Sequence, residues 1–144
     1  MNLTYQACTI DAFDTLLAIQ KKHVLHYEDP TMIDMHIVLQ QIEQNLRANI
    51  TNYIAVYKAN DVVAYYHIVE DYDLFWNLTF FYVFPKYRSQ GIGTLVLQKL
   101  QKMVDDPIVV NVYFRDTLLV DYFEKHDFQM KKVISKSRMT LEWK

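Results

Sequence analysis

The sequence predicts an α/β (α+β) fold, a mixed and mostly antiparallel sheet of about seven strands with four helices in the order βααβββαβαββ. Three observations carry this expectation. The apolar spacing switches repeatedly between a helical period of three to four and a strand period of two. The 144 residues, 51% apolar and 22% charged, suit a single soluble domain over residues 1–144. The only two glycines, Gly91 and Gly93, fall together where a strand pattern gives way to a helical one.

Leu3 to Cys8 alternates and reads as the first strand. Thr9 or Asp11 then caps a helix carrying Phe13, Leu16, Leu17, Val24 and Leu25, which Asp29-Pro30 ends. Thr31 is the expected cap of a second helix, with Met35, Val38, Leu39, Ile42 and Leu46 three or four apart, ending near Asn49. From Tyr53 the period becomes two, and Asn60-Asp61 is the expected hairpin turn between two antiparallel strands. A turn at Asp71 to Asp73 leads into a long strand, Leu74 to Phe84. Strict alternation puts Trp76, Leu78, Phe80, Tyr82 and Phe84 on one face and Asn77, Thr79, Phe81 and Val83 on the other. Thr94 to Val104 is helical, Ile108 to Phe114 is a buried strand, and Asp116 caps a fourth helix through Lys125. Strands follow near Phe128 to Ile134 and Ser137 to Trp143.

Composition removes several function classes. Fifteen Lys plus Arg against seventeen Asp plus Glu leave a net charge of −2, which attracts neither nucleic acid nor an anionic membrane. No apolar run approaches the roughly 18 residues of a membrane span. One cysteine, Cys8, forms no internal disulfide, and the first residues lack the layout of a signal peptide, so a cytoplasmic location is expected. No metal is expected either. His23 and His26 are three apart on the first helix, but no cysteine cluster or clear third ligand accompanies them. The aromatic-rich C-terminal strands leave a homodimer as a possible assembly.

Average glycine usage of about 7% would give roughly ten glycines, so two, both in Arg88-Ser89-Gln90-Gly91-Ile92-Gly93, mark a place that requires the absence of a side chain. The loop precedes a helix, whose first N–H groups are unused and whose dipole favours an anion, and Arg88 and Lys86 add full charges. The expected ligand is a pyrophosphate. A Walker A loop needs Gly-Lys-Ser/Thr, which is absent. A dinucleotide fingerprint needs a third glycine where Val96 stands, and an early βαβ unit.

Val83-x-Pro85-x-Tyr87-Arg88-x-x-Gly91-Ile92-Gly93 resembles the acetyl-CoA-binding motif of the GNAT superfamily of N-acetyltransferases. Tyr122-Phe123-Glu124-Lys125-His126-Asp127-Phe128 resembles that family's second signature, a helix ending Tyr-Glu-Lys-x-Gly-Phe, and the element order matches as well. The resemblance implies acetyl-CoA as co-substrate. It places the pyrophosphate on Arg88, Ser89, Gln90, Gly91, Ile92, Gly93 and Thr94, the pantetheine arm on the backbone of Phe81, Tyr82 and Val83, and a cofactor hydrogen bond on Asp116. Phe123 occupies the position of the family tyrosine often proposed to protonate the leaving thiolate, and Asp127 that of the glycine before the final Phe. A tyrosine acid at 123 is therefore excluded.

The resemblance implies acetyl transfer to a primary amine, and the chemistry sets what the residues must do. An alkyl amine with a pKa near 10.4 needs help losing a proton, whereas a thiol near 8.5 leaves readily as thiolate. Glu70, Asp71 and Asp73 cluster at the turn entering the long strand, and Glu70 and Asp73 are the candidate bases. Tyr122 is the candidate acid, although one helical step turns it about 100° from position 123. Tyr113 is a second possible donor. His67, on a strand, reads as a packed or groove residue with a base role conceivable. Gly-x-Ser-x-Gly is absent and Cys8 has no evident partners, so direct attack by the amine is expected. Local acids favour a cationic or amine acceptor, small molecule or protein, entering beside the first two helices and the turn before the long strand. The rival reading is a non-catalytic acyl-CoA-binding sensor, motivated by Phe123 and Asp127.

Overall fold

Alternation and turn chemistry resolve into seven strands and four helices in the computed structural model, which describes residues 1–71 and 75–144. The strands are β1 (Leu3–Ala7), β2 (Ile54–Lys58), β3 (Asp61–Glu70), β4 (Trp76–Val83), β5 (Ile108–Tyr113), β6 (Gln129–Val133) and β7 (Arg138–Trp143). The helices are α1 (Phe13–Tyr27), α2 (Met35–Asn49), α3 (Ile92–Met103) and α4 (Thr117–Lys125). The residues group into two compact units, one of residues 1–6 with 54–144 and one of residues 7–53.

The smaller unit holds α1 and α2. Thr9 caps a single 3-10 turn, Ile10–Ala12, that feeds α1. Phe13, Leu16 and Leu46 are buried, and the Arg47 guanidinium lies 4.4 Å from the centre of the Phe13 ring. Thr31, expected to cap α2, does not. Its N–H and hydroxyl both donate to the Asp29 carboxylate at 2.9 and 2.7 Å, so the threonine is consumed by the turn around Pro30. Asp34 caps instead, accepting from Ile37 N–H at 3.3 Å.

In the larger unit the sheet order is β1-β2-β3-β4-β5-β7-β6, antiparallel from β2 to β4 and from β5 to β6, and parallel between β4 and β5. Helices α3 and α4 supply Val96, Leu97, Leu100, Val120 and Phe123 to a core that also takes Leu78, Ile108, Val110 and Leu141 from the sheet.

Among the described residues, three one-residue bulges set the registers. At Val63 the extra residue shifts the hairpin so that Asp61 already pairs with Lys58, and the loop is Ala59-Asn60 rather than the expected Asn60-Asp61. Ala59 takes the left-handed φ of 56° that this loop demands. At Thr79 the partners step from Ile68 with Leu78 to His67 with Phe80. Strict alternation along β4 therefore fails. Leu78 faces the core before the bulge and Phe81 and Val83 pack against it after, while Phe80 and Tyr82 stack at 6.3 Å between centroids and Tyr82 meets Phe84 edge-on at 5.4 Å. The third bulge leaves Lys131 between two paired residues of β6.

Candidate acetyl-CoA site

Strand β4 delivers its backbone to two features, a gap and a turn. Among the described residues it pairs with β5 through Trp76 with Ile108 and Asn77 with Val109 and through no others. Phe81, Tyr82 and Val83 therefore run beside β3 on one edge and present the other to the opening toward β5. An extended amide-bearing arm fits such an edge because it supplies the missing strand's hydrogen bonds.

The turn follows. Pro85 opens a 3-10 turn, Pro85–Tyr87, closed by Tyr87 N–H to Phe84 O at 2.9 Å. Arg88 donates from Nε to Val83 O at 2.8 Å, which ties the turn back onto the strand, and its guanidinium lies 5.3 Å from the Tyr82 ring. Gln90 reaches back to Lys86 O at 3.3 Å. Ser89 and Gly91 take left-handed φ of 62° and 83°. The first intrahelical bond of α3 is Leu95 N–H to Gly91 O at 3.1 Å, so Ile92, Gly93 and Thr94 direct their N–H groups out of the helix start. Backbone donors, the positive end of a 12-residue helix and exposed Arg88 converge on one spot.

Helix α4 closes the back of that turn. A Cβ on Gly93 would stand 2.5 Å from the Tyr122 hydroxyl oxygen, so glycine is required by close approach. The Tyr122 ring stacks 6.0 Å from Phe81 and 4.5 Å from His126. His126 Nδ1 lies 2.8 Å from the Tyr122 carbonyl oxygen and so donates to it, and Nε2 lies 3.0 Å from Thr94 Oγ1. Burial pushes the Tyr122 hydroxyl above its ordinary pKa of 10.0, against a smaller lowering by the neighbouring Thr94 side chain. Asp116 is the cap of α4, accepting from Leu119 N–H at 3.4 Å.

The site residues named from the sequence are thus only partly brought together. Arg88 to Thr94, the β4 edge and Tyr122 share one neighbourhood. Glu70, exposed at the end of β3 opposite Trp76, belongs to the other end of β4, about seven strand residues or roughly 23 Å from Val83. Asp71 donates its N–H to Phe75 O at 2.8 Å beside it, and Asp73 lies outside the described residues. Phe123 is fully buried between Phe81 and Phe128.

A pair that was not joined in the sequence sits at the β4 bulge. His67, 7% exposed, places Nδ1 2.5 Å from Oγ1 of exposed Thr79, which also lies 3.2 Å from His67 O. Burial lowers the imidazole below its ordinary pKa of 6.5, so it is neutral at pH 7. No sequence signal distinguishes Thr79 from its neighbours, because a bulge leaves no mark on the pattern. Among the described residues no group of three or more His, Cys, Asp and Glu is arranged to hold a metal, and no helix is long and apolar enough to cross a membrane.

Comparison with solved structures finds the same fold at low identity. An acetyltransferase from Thermus thermophilus superposes with a TM-score of 0.73 at 13% identity, covering 99% of this chain and 97% of that one. An N-acetyltransferase from Staphylococcus aureus gives 0.75 at 13%, covering 97% and 100%. The PaiA N-acetyltransferase of Thermoplasma acidophilum, solved with coenzyme A, gives 0.69 at 14%, covering 100% and 99%. No curated protein matches the sequence. The acetyltransferase (GNAT) family itself matches residues 16–128, well over half of the chain, and the protein belongs to that family of acetyl-CoA-dependent acetyltransferases.

Proposed function

We propose that this enzyme transfers the acetyl group of acetyl-CoA to a primary amine by direct attack of the nitrogen on the thioester. The observation that carries the reading is the turn after β4, where outward N–H groups of Ile92, Gly93 and Thr94 and the exposed Arg88 meet at the start of α3. This donor set suits a pyrophosphate. The free edge of Phe81 to Val83 suits the two amides of pantetheine, which leads the thioester along β4 toward the bulge. Backbone N–H groups on that edge polarise the carbonyl as an oxyanion site does. Thiolate departure needs little help at its ordinary pKa, so a buried Phe123 is compatible with turnover. The Tyr122 hydroxyl, against Gly93, belongs to the pyrophosphate end and serves to shape the turn.

Calorimetric titration of acetyl-CoA into the wild type, Gly91→Glu and Arg88→Gln tests the site. The wild type is expected to bind at micromolar concentration, Gly91→Glu to lose binding, and Arg88→Gln to weaken it about tenfold, with circular dichroism showing all three folded. A folded wild type that does not bind acetyl-CoA would overturn the reading. Release of CoA thiol in the presence of a panel of alkyl primary amines tests the acceptor class.

A further inference from the structure

Making an alkyl amine nucleophilic is the costly half of the reaction, and the cofactor turn holds no group for it. The structure offers one at the β4 bulge. Thr79 is the extra residue, lying past the last β4–β5 pair and about 13 Å of strand from Val83, on the stretch that the proposed thioester follows. Its exposed hydroxyl is bonded to a buried imidazole across the strands. A regular strand would carry residue 79 past its partner; the bulge holds both groups of the pair together.

We propose that Thr79 and His67 form the proton relay that deprotonates the acceptor amine. The inference rests on the acetyl-transfer reading above and deepens it. Thr79 Oγ1 takes the ammonium proton of the acceptor while passing its own to His67 Nδ1, and the imidazolium hands that proton back through Thr79 to water. The neutral nitrogen then attacks: the N–C bond forms, the C–S bond breaks with its electron pair on the CoA sulfur, and the second nitrogen proton passes to that thiolate. Thr79 touches the substrate; His67 acts through it. In the tautomer that carries its proton on Nε2, the hydroxyl has one proton and two acceptors on the same residue, the His67 carbonyl, to which it donates at 3.2 Å, and Nδ1, so turning from the first to the second switches the relay on without moving the backbone. Burial supports the assignment, because a neutral imidazole is the form able to accept.

The test compares two acceptors with acetyl-CoA held constant: an alkyl primary amine, protonated at pH 7, and hydroxylamine, which is neutral there. Wild type, Thr79→Val, Thr79→Ser and His67→Gln are measured for turnover of both, and for acetyl-CoA binding by calorimetry. In Thr79→Val and His67→Gln the ratio of alkyl-amine to hydroxylamine turnover should fall about 100-fold, the lower end of general-base effects, with binding of acetyl-CoA unchanged. Thr79→Ser, which keeps the hydroxyl, should restore the ratio. Equal losses with both acceptors, or none with either, would overturn the relay. So would acetylated Thr79 found by mass spectrometry with acetyl-CoA alone, since the hydroxyl would then be a nucleophile. Because Thr79 is exposed, its valine variant is expected to fold even if His67→Gln does not. A wild type that fails to bind acetyl-CoA, or binds it and acetylates no amine, defeats the acetyl-transfer reading itself, a result separable from a relay that fails in an active enzyme.

Discussion

At position 93 a methyl group would stand 2.5 Å from the Tyr122 hydroxyl oxygen and 3.2 Å from its ring carbon, whereas at position 91 nothing lies within 4 Å. The two glycines of one turn are therefore required for different reasons. Gly93→Ala is expected to cost about 1–3 kcal/mol as overpacking, measured by urea denaturation. Tyr122→Phe in the same chain should return part of that loss, because the closest atom is gone while the ring carbon stays. Gly91→Ala meets open space but keeps a φ of 83°, and should cost about 1 kcal/mol whatever stands at 122. Equal recovery of both variants by Tyr122→Phe would contradict the distinction. Cys8 shows another single-residue effect. Buried at 5% exposure, its thiol is pushed up to about 11, so the reactive thiolate is scarce at pH 8. Iodoacetamide should modify it slowly in the native protein and rapidly in urea, and comparable rates would show the site open.

Helix α4 ends in an arrangement that local rules make well defined. Phe128 N–H donates to Phe123 O at 3.1 Å and Asp127 N–H to Glu124 O at 3.2 Å, the two bonds of a Schellman motif, and the Phe123 and Phe128 rings meet at 5.0 Å. The residue between them, Asp127, holds a left-handed φ of 70° that glycine adopts without strain. Asp127→Gly should accordingly stabilise the fold by about 0.5–1 kcal/mol, read as a higher urea midpoint at unchanged slope. A lower midpoint would mean that the aspartate side chain contributes more than its backbone costs. Such ends were legible in advance, since apolar spacing and breakers place α3 and α4 within two residues. The cofactor turn was legible for a related reason: the chain uses glycine nowhere else. Registers were not. β4 ends on Phe80, Phe81, Tyr82 and Val83 in succession, with Phe84 just beyond, and no polar face reveals where alternation slips at Thr79. Thr31 and Asp34 are both good caps, and only the Asp29 carboxylate, through the fold of its turn, decides between them. The bulge also hid the candidate relay, because His67 and Thr79 are twelve residues apart and meet only through the β3–β4 pairing.

The burial that keeps His67 neutral inside the sheet also couples the stability of the whole protein to pH. Its folded pKa lies below the ordinary 6.5, with burial as the cause, so between the two values the unfolded chain binds more protons than the folded one. The contribution of His67 is thus fully present above about pH 6.5 and is lost as pH falls toward the folded pKa, below which both states are protonated and the dependence levels off. Urea unfolding of the wild type from pH 8 to pH 5 should show stability declining from about pH 6.5 with a slope of up to one proton from this residue. His67→Gln should show a shallower decline by that amount, compared as slopes so that any uniform loss from the substitution drops out. Parallel pH dependences in the two proteins would mean that the imidazole titrates alike in folded and unfolded states. That result would also remove the physical ground for a neutral base at the bulge, which ties a denaturation experiment on the whole molecule to the chemistry proposed for one pair of side chains.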